Sequence, residues 1–117
     1  MAQIIRSVDC GNSPKNQIVE DLAVAFESGD SGSLTSALEQ AARWNSAAFE
    51  LVTAETILAS VRAQPKPDEV FIDRVMSHGK VGAVNGVSRR GGAERRFCYV
   101  FAFSSVKCQR LSRIESY

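Results

Sequence analysis

Residues 97–103 constrain the possible folds more than any other segment of the chain. Aromatic residues occupy every second position there. Because successive side chains of a β-strand point to opposite faces, all four rings lie on one face of a predicted strand. Each ring buries roughly 150–250 Å², so this face forms a core or lines a cavity. The opposite face is also apolar, so the strand is central in its sheet or packs against a second subunit. The rings are Phe97, Tyr99, Phe101 and Phe103, and the opposite face carries Cys98, Val100 and Ala102.

Turn residues divide the second half of the chain into antiparallel strands. His78-Gly79 and Gly91-Gly92 are typical of two-residue hairpin loops. Gly82 and Gly86 lie inside a predicted strand, where they permit a bulge or sharp curvature. The predicted strands span residues 70–77, 80–89, 95–104 and 109–117.

The two loops also predict which residues face each other across the sheet. If both loops have two residues, Val84 lies opposite Tyr99, and Asp73 lies opposite Val84. Asp73 then faces the aromatic side, where a carboxylate is costly unless it is hydrogen-bonded or hydrated. A one-residue bulge would reverse this prediction, because it moves the side chains to the other face. The alternative interpretation is that Asp73 is a solvated strand residue.

A first helix is predicted over residues 14–28. Ser13 is a suitable N-cap and Pro14 fits the first helical position. One apolar stripe follows at helical spacing, and Gly29 supplies the C-terminal stop. The stripe consists of Ile18, Leu22, Ala25 and Phe26.

Two more helices are predicted before the strands begin. Ser33 caps a helix through the apolar residues 34–41, and Thr53 caps another that ends at the prolines of residues 65–67. Helices followed by an antiparallel meander predict an α+β fold, with the helices packed on one face of the sheet. The remaining assignments are a short strand or irregular segment over 48–52, a loose arm or extra strand over 1–13, and one domain over 14–117.

The net charge excludes a generic polyanion binder, but the charged residues are unevenly distributed along the chain. The 14 basic and 13 acidic residues give a net charge of +1. Residues 1–73 carry 5 basic and 11 acidic side chains, whereas residues 74–117 carry 9 basic and 2 acidic ones. An acidic helical half and a basic sheet half predict complementarity between layers or between subunits rather than a nucleic-acid surface.

The sequence also argues against membrane, metal and cofactor sites. No apolar run approaches the roughly 18–20 residues that span a bilayer, and the N-terminus does not resemble a secretory signal. The three cysteines are far apart and we expect them to be reduced, which favours a cytoplasmic location. His78 is the one histidine, so a multi-histidine metal site is excluded, and we expect no cofactor.

Two stretches, SHGKVGAVNG and RRFCYVFAFSSVKCQRLSRIESY, resemble the nuclear-transport-factor-2-like superfamily and, more narrowly, its SnoaL-like, ketosteroid-isomerase-related branch. The segment EDLAVAFESGD is similar to the first helix of that family. The resemblance implies a cone, in which a curved antiparallel or mixed sheet wraps around N-terminal helices and leaves a pocket at the open end. It also implies a homodimer through the convex sheet face.

The resemblance allows the isomerase machinery to be compared position by position. Its general-base aspartate falls near Ser46, its oxyanion tyrosine near Leu22, and its protonated aspartate at Tyr99. Serine and leucine cannot perform the first two roles, so steroid-type isomerisation is disfavoured, although Tyr99 can still donate a hydrogen bond. We expect His78 to be a turn residue, Asn85 to be structural or to face a dimer partner, and Met76 to be a core residue.

Three functions remain open at this point. The favoured one is a small-molecule-binding domain for an apolar or amphipathic ligand. The second is a small lyase, isomerase or hydrolase that uses Asp73 as base and Tyr99 as electrophile. In the third, an arginine-rich hairpin tip binds a protein or anion; that tip contains Arg89, Arg90, Arg95 and Arg96. The predicted pocket is lined by Leu22, Phe26, Trp44, Phe71, Asp73, Val84, Phe97, Tyr99 and Phe101.

Overall fold

A computed structural model describes residues 3–7 and 13–117 of the chain. These residues form three helices and one curved seven-stranded sheet. The helices are α1 (Pro14–Ser28), α2 (Ser31–Leu34) and α3 (Ala54–Ala63). The strands are β1 (Gln3–Ile5), β2 (Leu38–Ser46), β3 (Glu50–Val52), β4 (Glu69–His78), β5 (Val81–Arg90), β6 (Ala93–Phe103) and β7 (Leu111–Ser116). The α+β fold class predicted from the sequence is confirmed.

The sheet is mixed, with the order β1-β4-β5-β6-β7-β2-β3. Strands β4 to β7 form the predicted antiparallel meander, whereas β1 pairs with β4 and β2 pairs with β7 in parallel. Helix α1 packs across β4 and β5, and α3 packs against β2. The core lies on the concave face, where the rings of β6 meet the apolar side of α1.

Helix α1 has the ends that its sequence predicts. The Ser13 side chain accepts a hydrogen bond from the Asn16 amide at 3.2 Å, and Pro14 is the first helical residue. Gly29 closes the helix in the left-handed conformation, with φ 73°. This conformation is inexpensive for glycine, because glycine has no Cβ to clash with the following carbonyl.

The predicted second helix is wrong over most of its length. Helix α2 ends at Leu34, and the residues from Leu38 onward form β2. The apolar residues of 34–41 fit a helical period, but Leu38, Ala42 and Trp44 are all buried in the sheet. Pairing with β7 decides the outcome, because tertiary contacts override a weak local preference.

The register of β5 against β6 agrees with the prediction, with Val84 opposite Tyr99 and Gly86 opposite Phe97. In contrast, the β4–β5 loop lies one residue later than predicted, since His78 pairs with Val81. A bulge also interrupts β4 between Ile72 and Arg74. The displaced loop shifts the pairing by two residues and keeps the faces, whereas the bulge reverses the faces of the β4 residues that precede it.

The bulge is stabilised from the neighbouring strand. The Asn85 side-chain oxygen accepts a hydrogen bond from the Arg74 amide at 3.0 Å, so a donor left over by the bulge is satisfied. Gly86 lies opposite Ile72, and a Cβ at this position would collide with the carbonyl oxygen of Phe71. The sequence therefore places an amide acceptor and a glycine where the sheet bends.

A buried carboxylate connects the N-terminal segment to α1. Glu20 has no exposed surface, and its side chain accepts hydrogen bonds from the Ser7 amide at 2.8 Å and from Arg6 at 3.3 Å. Arg6 also pairs with Asp21 at 2.7 Å. These contacts hold the segment that follows β1 against the outer side of the helix.

Candidate functional site

A cavity of about 520 Å³ opens at one end of the curved sheet. It lies between the tip of the β5–β6 hairpin, the loop from β2 to β3, the segment after α3 and the C-terminal residues. Its apolar lining includes Trp44, Ala47, Phe49, Pro65, Pro67, Ala93, Phe97, Tyr99 and Tyr117. Its polar lining consists of Glu27, Ser46, Gln64, Ser88, Arg90, Glu94, Arg95 and Ser116.

The aromatic walls of the cavity are held by ring contacts. Tyr99 stacks on Phe101, with ring centroids 5.6 Å apart and an interplanar angle of 8°. Trp44 makes edge contacts with Phe26 at 5.0 Å and with Phe49 at 5.1 Å. The Trp44 indole N–H also donates to the Ser116 hydroxyl at 2.9 Å. These contacts fix the orientation of the rings before any ligand arrives.

The floor of the cavity contains a buried carboxylate. The Glu27 side chain is 1% exposed, and its two oxygens accept hydrogen bonds from different donors. The Tyr99 hydroxyl donates to one oxygen, and Arg95 donates to the other at 2.5 Å. A buried carboxylate without donors is strongly destabilising, so the two contacts explain why this group is tolerated there.

Tyr99 is correspondingly difficult to ionise. Burial raises the pKa of its hydroxyl well above 10, and the negative charge and hydrogen-bond acceptance of Glu27 raise this pKa further. The nearby Arg95 opposes the shift. Tyr99 therefore keeps its proton at neutral pH and directs it at Glu27, while its own oxygen can still accept a hydrogen bond.

Three of the residues predicted to line the pocket do so: Trp44, Phe97 and Tyr99. Phe26, Val84 and Phe101 are fully or almost fully buried in the core behind the cavity wall. Leu22 is buried on α1 and borders a separate, shallower depression beside Arg6 and Asp21.

Asp73 and Phe71 do not lie in the pocket, and that part of the prediction is wrong. Asp73 falls at the β4 bulge and is exposed, whereas Phe71 is 40% exposed on the convex face. The bulge inverts the predicted alternation, so Val70 and Ile72 point inward instead. Met76, expected in the core, is 62% exposed because it alternates with the inward-facing Val75 and lies on the convex face. Asp73 therefore cannot act together with Tyr99.

Other residues lie close to their predicted positions. His78 is exposed at the end of β4, next to the turn, and Asn85 has the structural role described above. Ser46, which the resemblance aligns with the isomerase base, lines the cavity together with Tyr99. Within the described ranges, no group of three or more histidine, cysteine or acidic side chains is arranged to hold a metal ion.

Glu27 is the functional candidate that the sequence analysis missed. Two signals for it were available. Arg95 is in phase with Phe97 and Tyr99, so the alternation of β6 already places a cation on the concave face. Glu27 follows Phe26 at the end of the apolar stripe, where the last turn of α1 meets this strand. A cation on the inner face is tolerated when it pairs with a carboxylate, and the opposing layer has to supply one.

Comparisons with solved structures identify the fold. No protein-family model and no curated protein matches the sequence. A nuclear-transport-factor-2-like protein of unknown function from Burkholderia xenovorans is 14% identical, with a TM-score of 0.71 over 86% of this chain and 81% of that one. A candidate ketosteroid isomerase from Kribbella flavida is 11% identical, with a TM-score of 0.74 over 87% and 75%.

A third similar structure is a candidate polyketide cyclase from Sinorhizobium meliloti, which is 18% identical. Its TM-score is 0.68 over 86% of this chain and 94% of that one. The protein therefore has the nuclear-transport-factor-2-like fold, and the resemblance noted in the sequence is confirmed at that level. The fold is compatible with a ligand-binding or enzyme-like domain, and the function has to be argued from the site.

Proposed function

We propose that this protein binds a small, largely apolar ligand in the cavity at the open end of the sheet. A volume of about 520 Å³ lies within the range typical of small-molecule sites, roughly 300–1,000 Å³. The aromatic side chains of Trp44, Phe97 and Tyr99 supply a rigid apolar wall. A few polar groups at the floor would orient the ligand.

The observation that carries this proposal is the Glu27–Tyr99 pair at the floor. Glu27 is a carboxylate with two donors already in place, and the Tyr99 hydroxyl uses its one O–H to donate a hydrogen bond to it. Both groups therefore offer lone pairs to the cavity and no further proton. A ligand that carries a hydroxyl or N–H group at its inner end complements this floor.

The same arrangement favours binding over catalysis. The enzyme alternative required Asp73 beside Tyr99, and Asp73 lies outside the cavity. The carboxylate that does lie there, Glu27, accepts hydrogen bonds from Arg95 and Tyr99. Both of its oxygens already have protein donors, so we assign no reaction to the site.

The proposal is tested with N-phenyl-1-naphthylamine, an uncharged apolar probe whose absorption overlaps tryptophan emission. Trp44 is the one tryptophan of the chain and lines the cavity. Binding in the cavity should give saturable energy transfer from Trp44 to the probe, with one probe bound per chain.

A pair of variants locates the probe. Ser88 points into the cavity, whereas its neighbour Val87 lies on the convex face of the same strand. Ser88→Phe should fill part of the cavity and weaken binding at least tenfold, about 1.4 kcal/mol. Val87→Phe should leave the affinity within about twofold. Absence of energy transfer in the wild type, or equal loss in both variants, would refute a ligand site in this cavity.

A homodimer through the convex sheet face remains a proposal alongside the binding function. Several outward residues of β5 and β6 are apolar and only partly buried, among them Ala83, Val87, Cys98 and Val100. Phe71 and Met76 of β4 extend this apolar face. A second copy of the chain would cover it with the same residues, as a two-fold interface requires.

The location of the protein is proposed to be cytoplasmic. In the described part of the chain, none of the helices is long and apolar enough to cross a bilayer. Cys98 and Cys108 are free thiols, which suits a reducing compartment.

A further inference from the structure

We propose that the ligand of this cavity is an amphipathic anion whose carboxylate or similar oxyanion is bound at the cavity rim by Arg90. The inference rests on the proposed binding function and narrows it to a class of ligand. It follows from the position of Arg90 on the hairpin and from the pairing of the other charges around it.

The strand register places two arginines on the concave side of the hairpin. Arg90 is opposite Ala93, and Arg95 is opposite Ser88, and all four residues line the cavity. Arg90 and Arg95 are therefore diagonal neighbours across the two strands, at a separation of roughly 7–8 Å.

The carboxylates near Arg90 already have ion-pair or hydrogen-bond partners. Glu27 is paired with Arg95 at 2.5 Å, and Glu94 is paired with Arg89 at 3.0 Å. Arg89 also pairs with Glu69 at 3.2 Å. The Asp68 carboxylate accepts the Gly91 amide at 2.8 Å, which holds the hairpin tip in place.

Arg90 differs from these neighbours. Across residues 3–7 and 13–117, no carboxylate lies within 4.0 Å of its guanidinium. The side chain is exposed and borders the cavity. A planar guanidinium with its donors available at a cavity rim matches the two oxygens of a carboxylate.

The cavity then has a polarity that runs from floor to rim. Its floor offers the lone pairs of Glu27 and Tyr99, its walls are aromatic, and its rim offers the donors of Arg90. A matching ligand has a hydroxyl or N–H group at the inner end, an apolar body, and an anionic group at the outer end.

The test compares two probes that share one apolar body. N-phenyl-1-naphthylamine is uncharged, and 8-anilino-1-naphthalenesulfonate carries a sulfonate on the same anilinonaphthalene frame. Dissociation constants for both are measured by fluorescence titration on the wild type, Arg90→Ala, Arg90→Gln and Arg96→Ala. Arg96 is the matched control, because it belongs to the same hairpin but lies opposite Val87 on the convex face.

We expect the wild type to prefer the sulfonate probe at least threefold, the size of effect that one charge-assisted contact at a half-open rim provides. Arg90→Ala and Arg90→Gln should abolish this preference while the affinity for the uncharged probe stays within about twofold. Arg96→Ala should leave both affinities unchanged.

The contrary results distinguish failure of this inference from failure of the proposed function. Equal binding of both probes to the wild type, or the same loss in the Arg90 and Arg96 variants, overturns the anionic ligand and leaves the apolar site intact. Failure of both probes to bind overturns the proposed function together with this inference. Because Arg90 is exposed, its variants should fold, and circular dichroism verifies that they do.

Discussion

Tyr99→Phe removes the hydroxyl that donates to Glu27 and leaves the ring in place. The ring keeps its stacking on Phe101, so the substitution isolates one buried hydrogen bond to a carboxylate. Hydrogen bonds to charged groups contribute about 1.5–3 kcal/mol to stability. Because Arg95 still neutralises Glu27 in the variant, no unpaired buried charge is created. We therefore expect a loss of about 2 kcal/mol.

The loss is measured by urea unfolding of the wild type and the variant. A loss of about 2 kcal/mol moves the midpoint by about 0.7–2 M, since the urea slope is about 1–3 kcal/mol/M for a domain of this size. Tyr117→Phe is the matched control, because Tyr117 is 75% exposed. The control should change stability by less than about 0.5 kcal/mol.

A double-mutant cycle with Glu27→Gln checks that the effect belongs to this pair. The coupling free energy between the two positions should be about 1–2 kcal/mol, as is usual for residues in direct contact. If Tyr99→Phe and Tyr117→Phe have equal effects, or if the coupling is close to zero, the buried pair does not stabilise the cavity floor and the reasoning is refuted.

Three further predictions follow from the same structure. Burial and Glu27 raise the pKa of Tyr99 above its ordinary value. Above about pH 10 the unfolded chain therefore binds fewer protons than the folded one, and the free energy of unfolding falls as the pH rises. The stability gap between wild type and Tyr99→Phe should then shrink as the pH rises above about 10 in urea titrations, and a gap that stays constant up to about pH 11 would contradict the shift. Gly86→Ala should destabilise the fold by about 3 kcal/mol or more, because its Cβ would collide with backbone at the β4 bulge. The control is Gly32→Ala, whose Cβ meets only the Asp30 side chain at 3.5 Å. Thermal melts should show the control to be nearly neutral. Val100→Lys on the convex face should convert a dimer to a monomer in sedimentation velocity, and a wild type that sediments as a monomer would refute the dimer.

The elements that local chemistry determines could be predicted from the sequence. Helix α1 has its cap, its proline and its terminal glycine at fixed offsets, so its bounds follow from the residues alone. The alternation of rings in β6 determines its inner face, and the Gly91-Gly92 loop then determines the register against β5. These signals depend on neighbours within a few residues, where sequence and structure are closely coupled.

The elements that depend on distant contacts could not be predicted in the same way. The apolar residues of β2 fit the period of a helix as well as that of a strand. Pairing with β7, about 70 residues away along the chain, selects the strand. The β4 bulge depends on Asn85 and Gly86 of the next strand, and its one-residue shift moved Asp73 out of the site. Glu27 became visible as a site residue only when α1 was placed against β6.

The binding of a ligand in the cavity is tested most directly by a ¹H–¹⁵N correlation titration with N-phenyl-1-naphthylamine. We predict that the Trp44 indole N–H and the amides of Ser88 and Tyr99 shift together, with one common dissociation constant. Shifts confined to convex-face residues such as Phe71 and Met76, with the Trp44 signal unchanged, would contradict this prediction.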